Sequence, residues 1–493
     1  MGMTIRKTFF FLLLILIIAG FLRLYHITTV PPGLYPDEAM NGNNALQALN
    51  TPPPAGGFKV FYPENNGREG LFMNIQALSL KFFGVNEPWA LRLPSNIFGI
   101  LTVLGIYFLA KELFSIRVGL LSAFFLATSF WHINFSHIGF RAIMAPFFAV
   151  WALYFLLKAI RSHNTTHYIP PTAYSIIGGV FYGLGFYSYI SYRVTPLLLL
   201  LFVLFFAKEK GFWKVIAIFL ITTFFVALPI GLYFLQHPAD FMGRTTQVSV
   251  FSSPSPLSDL AANTVKTLGM FNFKGDGNWR HNYSGSPELF WPVGILMVVG
   301  LIIGLRKIAK NKIQEGPQNR FAFLLTFLWF LLAMLPVVIS NEGIPHALRS
   351  ILMIPPVIIL AGVGGIAAYD FLKKYIRTFL LPAAATVFLA ILTFQGYYSY
   401  FVAWANNPNV PGAFAADYVE LGRKLNSLPV NIPKYIVVQA GGVSVNGMPM
   451  PTQTVMFITG TFLPEWQKAK NIYYVLPDEE KNIPAGAEKF YIR

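Results

Sequence analysis

The chain has 493 residues, of which 55% are hydrophobic and 12% are charged, whereas a soluble domain carries about 25% charged residues. This composition excludes an ordinary soluble domain and indicates a protein that crosses a membrane several times. The formal net charge of +16 does not indicate a nucleic-acid partner, because the basic residues form short clusters between apolar runs, and the lack of cysteine excludes disulfides and thiolate metal sites.

Eleven apolar runs come close to the roughly 20 residues that a membrane helix needs. The first run, 8–24, is predicted to remain as a helix, since no convincing signal-peptide cleavage site follows it. The other runs are 94–113, 118–133, 142–160, 174–189, 195–207, 212–235, 289–305, 321–339, 347–369 and 378–398. The sequence therefore predicts an all-α polytopic membrane protein with about eleven transmembrane helices.

The lysines and arginines are concentrated in every second connection between these runs. By the positive-inside rule, the N-terminus is then cytoplasmic, and the long loops 25–93 and 236–288 lie outside the membrane. We expect a multi-pass protein of the plasma (inner) membrane. Residues 1–399 are predicted to form the transmembrane domain. Residues 400–493 are predicted to form a small extracytoplasmic α/β domain, with a helix-like stretch at 415–428 and strand-like stretches at 435–439 and 472–476.

Two adjacent acids, Asp37 and Glu38, follow Pro36 directly after the first apolar run. One interpretation is a helix that begins at Pro36, in which the acids of the first turn complement the positive end of the helix. The other interpretation is a functional site, which Asn41 and Asn44 favour because they extend the polar face by one and two turns. The sequence leaves both interpretations open.

Arg141, Arg193 and Arg349 each lie at the edge of an apolar run. A single arginine there can simply anchor a helix at the lipid headgroups. Together with acids in facing loops, however, guanidinium groups would gather around an anionic lipid headgroup, because they bind phosphate in a bidentate manner. His346 lies three residues before Arg349 and would share its helix face.

The glycine-rich stretch "KGDGNWRHN" contains Asp276, Trp279, Arg280 and His281. It is either an ordinary surface loop or a cover over a site. No cofactor is required by the residue pattern, and a divalent metal stays open as an alternative, although no tight ligand spacing such as H-x-x-x-H occurs. Neither a Walker loop nor a G-x-S-x-G motif is found, so nucleotide hydrolysis and serine-hydrolase chemistry have no support.

Several stretches together resemble the GT-C membrane glycosyltransferases of the protein O-mannosyltransferase type (glycosyltransferase family 39), including the aminoarabinose transferases that act on lipid A. The stretches are "PPGLYPDEA", "NNGREGLFMNIQALSLKFFG", "SFWHINFSHIGFRAIMAPFF", "GLGFYSYISYRVTP", "MFNFKGDGNWRHN" and "PHALRSILMIPP". The resemblance covers roughly residues 8–365. One departure is the "REG" at 68–70, which contains Arg68 and Glu69, where many relatives have a proline-containing pattern.

The resemblance implies an inverting transferase that moves a sugar from a polyprenyl-phosphate donor to a hydroxyl of a protein, lipid or glycan at the outer membrane face. It implies a catalytic base at Asp37, with Glu38 beside it. Basic residues at the outer helix ends would hold the donor phosphate, namely Arg92, Arg141, Arg193, His346 and Arg349. Further polar residues of the outer connections are predicted to bind substrate, namely Arg68, Glu69, His137, Tyr187, Tyr192, Asp276, Trp279, Arg280 and His281.

Two non-catalytic functions compete with this prediction. A lipid or sugar transporter, or flippase, would carry charges deep within its spans. A scaffold would use the outer tail only to bind a partner. Deleting the residues after 400 should leave donor binding intact in a catalytic membrane unit and should abolish the function of a scaffold.

Overall fold

The computed structural model describes residues 4–52, 56–162, 169–247, 249–309, 317–377 and 379–493. The first part of the chain contains two apolar helices at its ends and, between them, two further helices and a small hairpin. These elements are α1 (Ile5–Leu24), α2 (Pro36–Asn50), β1 (Phe61–Tyr62), β2 (Arg68–Glu69), α3 (Leu71–Phe83) and α4 (Pro88–Leu113). Although α2 is polar in sequence, most of its side chains are buried.

The middle of the chain is almost entirely helical. Its helices are α5 (Ile116–Thr128), α6 (Phe130–His137), α7 (Met144–Ser162), α8 (Pro171–Gly185), α9 (Pro196–Phe206), α10 (Phe212–Gln236), α11 (Pro238–Gln247), α12 (Pro256–Gly269), α13 (Trp291–Ala309), α14 (Pro317–Val338), α15 (Ile354–Leu372) and α16 (Leu380–Tyr397). A π-helical segment, Tyr398–Trp404, continues α16. Because this helix runs past residue 400, the domain boundary placed there stays a prediction.

All eleven predicted apolar runs coincide with helices, although Thr378 itself lies outside the described residues. Eight of the described helices are long and apolar enough to cross a membrane, and α5 with α6 makes a ninth if the bent pair is one span. The prediction of about eleven crossings is not reached, because α8 and α9 have only 15 and 11 residues, fewer than a span of about 20 residues requires. The predicted class, a multi-pass helical membrane protein with a small C-terminal α/β unit, is confirmed.

A buried arginine lies at the bend of 58° between α5 and α6. Arg23, at the end of α1, is fully buried and donates to the carbonyls of Leu126 and Ala127 at 3.1 and 3.0 Å. These carbonyls belong to the last turn of α5, where the helix end is partly negative and the usual donors four residues on are missing; the N–H of Ser129 reaches only Leu126, at 3.4 Å. His132 Nδ1 lies 2.7 Å from the same guanidinium. The cation therefore stabilises the interrupted end of α5.

The last part of the chain forms the C-terminal α/β unit. Its elements are α17 (Asn409–Ala413), α18 (Ala416–Ser427), β3 (Lys434–Val438), β4 (Ser444–Val445), β5 (Met448–Pro449), α19 (Thr452–Thr459), α20 (Pro464–Lys470), β6 (Ile472–Val475) and β7 (Glu488–Ile492). The strands β6, β3 and β7 form a parallel sheet in that order. The predicted helix at 415–428 and the strands at 435–439 and 472–476 are confirmed by α18, β3 and β6.

The C-terminal unit packs directly against α2 through helix α19. Asn43 of α2 donates to both the backbone and the side-chain oxygen of Gln453, at 3.0 and 2.9 Å. Thr454 donates to the carbonyl of Leu34, just before α2, at 2.9 Å. Met40 of α2 belongs to the same hydrophobic cluster as the sheet. The helix that carries Asp37 is thus held between the bundle and the C-terminal unit.

Candidate active site

A cavity that is open to solvent lies beside the first turn of α2. Its walls come from α2, the β1–β2 hairpin, the connection before α7 and two further connections, and they consist of Asp37, Asn41, Asn65, Arg68, Phe140, Arg141, Ala142, Tyr189 and Leu348. We call this space the Asp37 cavity. It brings together three of the residues predicted from the sequence, Asp37, Arg68 and Arg141.

Asp37 is half-buried in the first turn of α2, directly after Pro36. Asn65 Nδ2 donates a hydrogen bond to Asp37 Oδ1, and no partner for Oδ2 is found in the described part of the chain. The interpretation that a helix begins at Pro36 is therefore correct, and the functional interpretation is compatible with it. A carboxylate held by one oxygen at a cavity wall can accept a proton from a bound hydroxyl group through its other oxygen.

Glu38, the neighbouring acid, faces away from the cavity and is fully buried. Its two carboxylate oxygens pair with Arg92 Nε and Nη2 at 2.8 and 3.0 Å, and one of them also accepts the N–H of Gly139 at 2.7 Å. Arg92 further donates to the carbonyls of Pro31 and Gly33, both at 2.9 Å. This pair fastens the start of α2 to α4. The roles expected of Glu38 in catalysis and of Arg92 in phosphate binding stay predictions, and both would require this buried pair to separate.

Arg68 forms the cavity wall next to Asp37 and is 3% exposed. Its guanidinium donates to the side-chain oxygens of Asn41 and Asn44 at 2.7 and 2.6 Å. The polar face that extends from Asp37 along α2 thus serves to hold this cation. Burial lowers the pKa of Arg68 to about 10, so the group stays positively charged at neutral pH.

Glu69 joins two further arginines at the edge of the Asp37 cavity. Arg141 Nε lies 2.7 Å from one carboxylate oxygen, and Arg193 Nη2 lies 3.7 Å from the other. The Arg141 guanidinium is 5.6 Å from the ring centre of Tyr189, and that of Arg193 is 4.2 Å from the ring centre of Phe241. The paired acid and the aromatic rings fix the orientation of both cations. Arg141 lines the cavity, whereas Arg193 stands behind it.

Asp276, His281 and His346 form a second polar cluster, from the loop before α13 and the loop before α15. Asp276 Oδ2 lies 3.0 Å from His281 Nδ1 and 3.7 Å from His346 Nδ1. The same oxygen accepts the N–H of Ala347 at 2.9 Å, and Oδ1 accepts the N–H of Asn278 at 2.8 Å. The predicted residues of this loop thus meet one another and do not line the Asp37 cavity.

Two links connect these loops to the surroundings of the cavity. The Arg280 guanidinium lies 3.7 Å from the ring centre of Tyr35, two residues before Asp37, and burial lowers the pKa of Arg280 to about 10. Leu348, two residues after His346, forms part of the cavity wall. The loop "KGDGNWRHN" therefore packs beside the site as one of its supports.

Arg349 does not reach the cavity lining. Its guanidinium donates to Ser340 Oγ and pairs with Glu342 at 2.9 Å, within the loop before α15. The arginine side chain is 11% exposed, while Glu342 is 69% exposed. A role of Arg349 in phosphate binding stays a prediction that would require the exposed Glu342 to give way.

Four other predicted substrate residues are committed to packing. His137 Nδ1 lies 3.0 Å from the carbonyl of Ile133, and its ring packs against Tyr400. Tyr187 donates to the carbonyl of Val226 at 2.9 Å, and Tyr192 is fully buried. The Trp279 ring packs 5.1 Å from the ring of Tyr283, and its backbone oxygen accepts a hydrogen bond from Trp404 at 2.9 Å. None of these four lines the cavity.

Sequence reasoning did not select Asn65, the residue that holds Asp37. Asn65 has a positive φ of 52°, a conformation that asparagine tolerates better than most residues. The pair "NN" before a glycine indicates a turn. Nothing in that pattern, however, shows which side chain the asparagine meets.

Comparisons with known proteins bear on the fold. The family described as dolichyl-phosphate-mannose-protein mannosyltransferase matches residues 71–233. The oligosaccharyltransferase of Archaeoglobus fulgidus in its apo form is similar in structure, with a TM-score of 0.59, 14% identity and coverage of 97% of this chain and 66% of that chain. ArnT from Cupriavidus metallidurans, bound to undecaprenyl phosphate, has a TM-score of 0.57, 14% identity and coverage of 92% of this chain and 84% of that chain. No curated protein matches the sequence.

A further structure of the archaeal protein AglB, in complex with an inhibitory peptide and a dolichol-phosphate, has a TM-score of 0.56 at 14% identity. This chain therefore spans slightly less than two thirds of the length of the archaeal protein. The resemblance predicted from the sequence, to GT-C proteins of the mannosyltransferase type, is confirmed, and the likeness to the solved structures is one of fold.

Proposed function

We propose that this protein is an inverting glycosyltransferase that moves a sugar from a polyprenyl-phosphate donor to a hydroxyl acceptor at the outer face of the plasma membrane. One observation carries the proposal: a half-buried carboxylate, Asp37, and two arginines, Arg68 and Arg141, line one solvent-open cavity. The similar structures bound to undecaprenyl phosphate and dolichol-phosphate support a donor of this class. The sugar is a hexose or a pentose.

In the proposed reaction, Asp37 acts as the general base. It accepts the proton of the acceptor hydroxyl while that oxygen attacks C1 of the sugar. The bond between C1 and the phosphate oxygen breaks with its electron pair on the phosphate, which leaves attached to the lipid. The new bond forms on the opposite face of C1, so the anomeric configuration is inverted. A positioned base typically contributes about 10²–10⁴-fold to such a reaction.

In the proposed reaction, the arginines stabilise the leaving phosphate. The leaving phosphate needs no proton donor, but it needs fixed positive charge where its negative charge grows. Arg141 supplies this charge at the cavity wall, held by Glu69 through Nε, which leaves its terminal nitrogens for a bidentate contact with phosphate. Arg68 lies deeper and contributes positive potential beside Asp37.

A transporter or flippase is the competing function, and it would need charged groups along a path through the spans. Arg23 is a charged group enclosed within the bundle, yet its donors go to helix carbonyls. Its position thus has a structural reason. Of the charged groups of the Asp37 cavity, Asp37 and Arg141 lie at the beginnings of helices and Arg68 lies in the β1–β2 hairpin, which favours chemistry at the membrane surface.

The direct test follows the sugar. Membranes that contain the protein are incubated with undecaprenyl phosphate carrying a radiolabelled mannose or arabinose. We expect label to leave the lipid fraction and to appear, with inverted configuration, in a protein, lipid or glycan fraction that mass spectrometry then identifies. The reference is an equal amount of membranes without the protein. Label that stays on undecaprenyl phosphate with every sugar of such a panel would rule out the proposed function.

Replacing Arg141 with glutamine should weaken binding of undecaprenyl phosphate to the purified protein. A hydrogen bond to a charged group contributes about 1.5–3 kcal/mol, so we expect the Kd to rise about 10- to 150-fold. The Kd of Arg141→Lys should lie between that of the unaltered protein and that of Arg141→Gln, because lysine keeps the positive charge but cannot make the planar bidentate contact. Arg423→Gln, on the exposed face of α18, is the matched control and should leave the Kd unchanged. Equal Kd values for Arg141→Gln and Arg423→Gln would remove Arg141 from the phosphate site.

A further inference from the structure

The proposed reaction does not use Asp276, His281 and His346. They come from two segments far apart in the sequence, and one carboxylate and two imidazoles converge on a small volume. Asp276 and His281 are 4% and 5% exposed, and the His346 side chain is 15% exposed, so the cluster is largely buried and reaches solvent only at His346. One carboxylate and two imidazoles this close together are a typical set of metal ligands.

The spacing of the ligand atoms fits one metal ion. Asp276 Oδ2 is 3.0 Å from His281 Nδ1 and 3.7 Å from His346 Nδ1, and one ligand atom from each residue can be chosen so that all lie within 4.8 Å of one another. A tetrahedral Zn²⁺ with bonds of about 2.0–2.1 Å places its ligand atoms about 3.3 Å apart. The two distances lie on either side of that value.

The carboxylate is also oriented as a metal ligand should be. The N–H of Asn278 holds Oδ1, and the N–H of Ala347 holds Oδ2, at 2.8 and 2.9 Å. Contacts of this kind from outside the coordination sphere fix the rotamer of a ligating side chain and raise metal affinity. The two imidazole rings stack at 4.9 Å, which restrains their rotation in turn.

We propose that Asp276, His281 and His346 form a binding site for a Zn²⁺ ion, in addition to the proposed transferase site. Two nitrogens and one carboxylate oxygen are the donor set that Zn²⁺ favours, and three protein ligands leave a fourth position for water. The ion joins the loop before α13 to the loop before α15. These loops contribute Arg280, which packs on Tyr35, and Leu348, which lines the Asp37 cavity. The role we assign to the ion is to hold the two loops together at the rim of that cavity.

The test measures metal content and does not depend on transferase activity. The full-length protein, purified without a histidine tag, is equilibrated with Zn²⁺, desalted and analysed by mass spectrometry for metals. We expect about one Zn²⁺ per chain in the unaltered protein. The Kd for Zn²⁺ should be at least 100-fold weaker in His346→Gln and in Asp276→Ala, since loss of a ligand should weaken binding no less than loss of the contacts that support it. His237→Gln, at the end of α10 and outside the cluster, is the matched control and should keep its zinc.

Two further readings separate loss of the metal from loss of the fold. Chelation should lower the Tm of the unaltered protein to that of His346→Gln and should leave the Tm of the variant where it was. Co²⁺ in place of Zn²⁺ should give the visible absorption of a four-coordinate site in the unaltered protein and in His237→Gln only. Zinc content well below one ion per chain after equilibration, or equal zinc in His346→Gln and His237→Gln, would overturn the proposal.

Discussion

Asp37→Asn should slow sugar transfer by about 10²–10⁴-fold, the range that a general base contributes, while the Kd for undecaprenyl phosphate stays within about twofold. The amide has the shape of the carboxylate, and its oxygen can still accept the hydrogen bond that Asn65 donates to Asp37. The geometry of the cavity is therefore kept, and only the capacity to take a proton is lost. Transfer rates are measured with a radiolabelled donor at saturating concentration, and binding is measured separately.

The appropriate control is an acid of similar chemistry away from the cavity. Asp478→Asn changes an exposed carboxylate of the C-terminal unit and should leave both the rate and the Kd unchanged. If Asp37→Asn turned over the donor at a rate close to that of Asp478→Asn, Asp37 would not be the base, whatever else it does in the cavity.

Removing residues 408–493 should abolish both donor binding and transfer. The reason is the packing of α19 against α2, the helix that carries Asp37. Without α19, the oxygens that receive the hydrogen bonds of Asn43 are lost, and the buried Met40 becomes exposed. This outcome differs from the expectation drawn from the sequence, that a membrane unit without its tail retains donor binding. Donor binding is measured as the Kd of the truncated protein for undecaprenyl phosphate in detergent, and transfer is measured with the radiolabelled donor.

A point variant at the same contact keeps this prediction testable even if the truncated chain fails to fold. A Cβ atom on Gly42 of α2 would lie 2.6 Å from Cδ2 of Phe457 in α19. Gly42→Ala should therefore push the two helices apart and cost about 1–3 kcal/mol of stability, with a lower Tm and slower transfer. Phe457→Leu, added to Gly42→Ala, should restore part of the Tm and part of the transfer rate, because the smaller side chain leaves space for the new Cβ atom.

The comparison is a double-mutant cycle, in which a coupling between the two substitutions reports direct contact. Gly441→Ala is the control, since a Cβ there would meet no atom within 4 Å. Additive effects of Gly42→Ala and Phe457→Leu, or a truncated protein that binds the donor normally, would show that α2 is held in place by the membrane bundle alone.

Part of this site could be predicted from residue chemistry. Acids after the first apolar run and arginines at the ends of later runs indicated one anionic-lipid site, and Asp37, Arg68 and Arg141 do line one cavity. Residue chemistry alone could not distinguish Asp37 from Glu38, and only the family resemblance placed the base at Asp37. Adjacent residues on a helix point about 100° apart, and which of the two faces the cavity depends on how α2 is rotated against α3, α4 and α19.

Other features depend on contacts that no local pattern records. Arg92 has the position expected of a phosphate ligand, at the end of an apolar run, yet it pairs with Glu38. Asp276, His281 and His346 show no ligand spacing along the chain, because two loops bring them together. Helix lengths were likewise overestimated where apolar residues continue into the short turns around α8 and α9.

The burial of Arg23 has a consequence for how the chain enters the membrane. A cation within a lone membrane helix is costly, by about 2.5–3.5 kcal/mol at the bilayer centre, and here its compensation includes the carbonyl of Ala127, 104 residues later in the chain. Until α5 is inserted, Arg23 has only the carbonyl of Ala19 within α1 as a partner, and its place in the last turn of α1 lets the side chain extend to the lipid headgroups. The two helices then assemble as a pair, and a generic apolar anchor in place of α1 could not support the bend that follows α5.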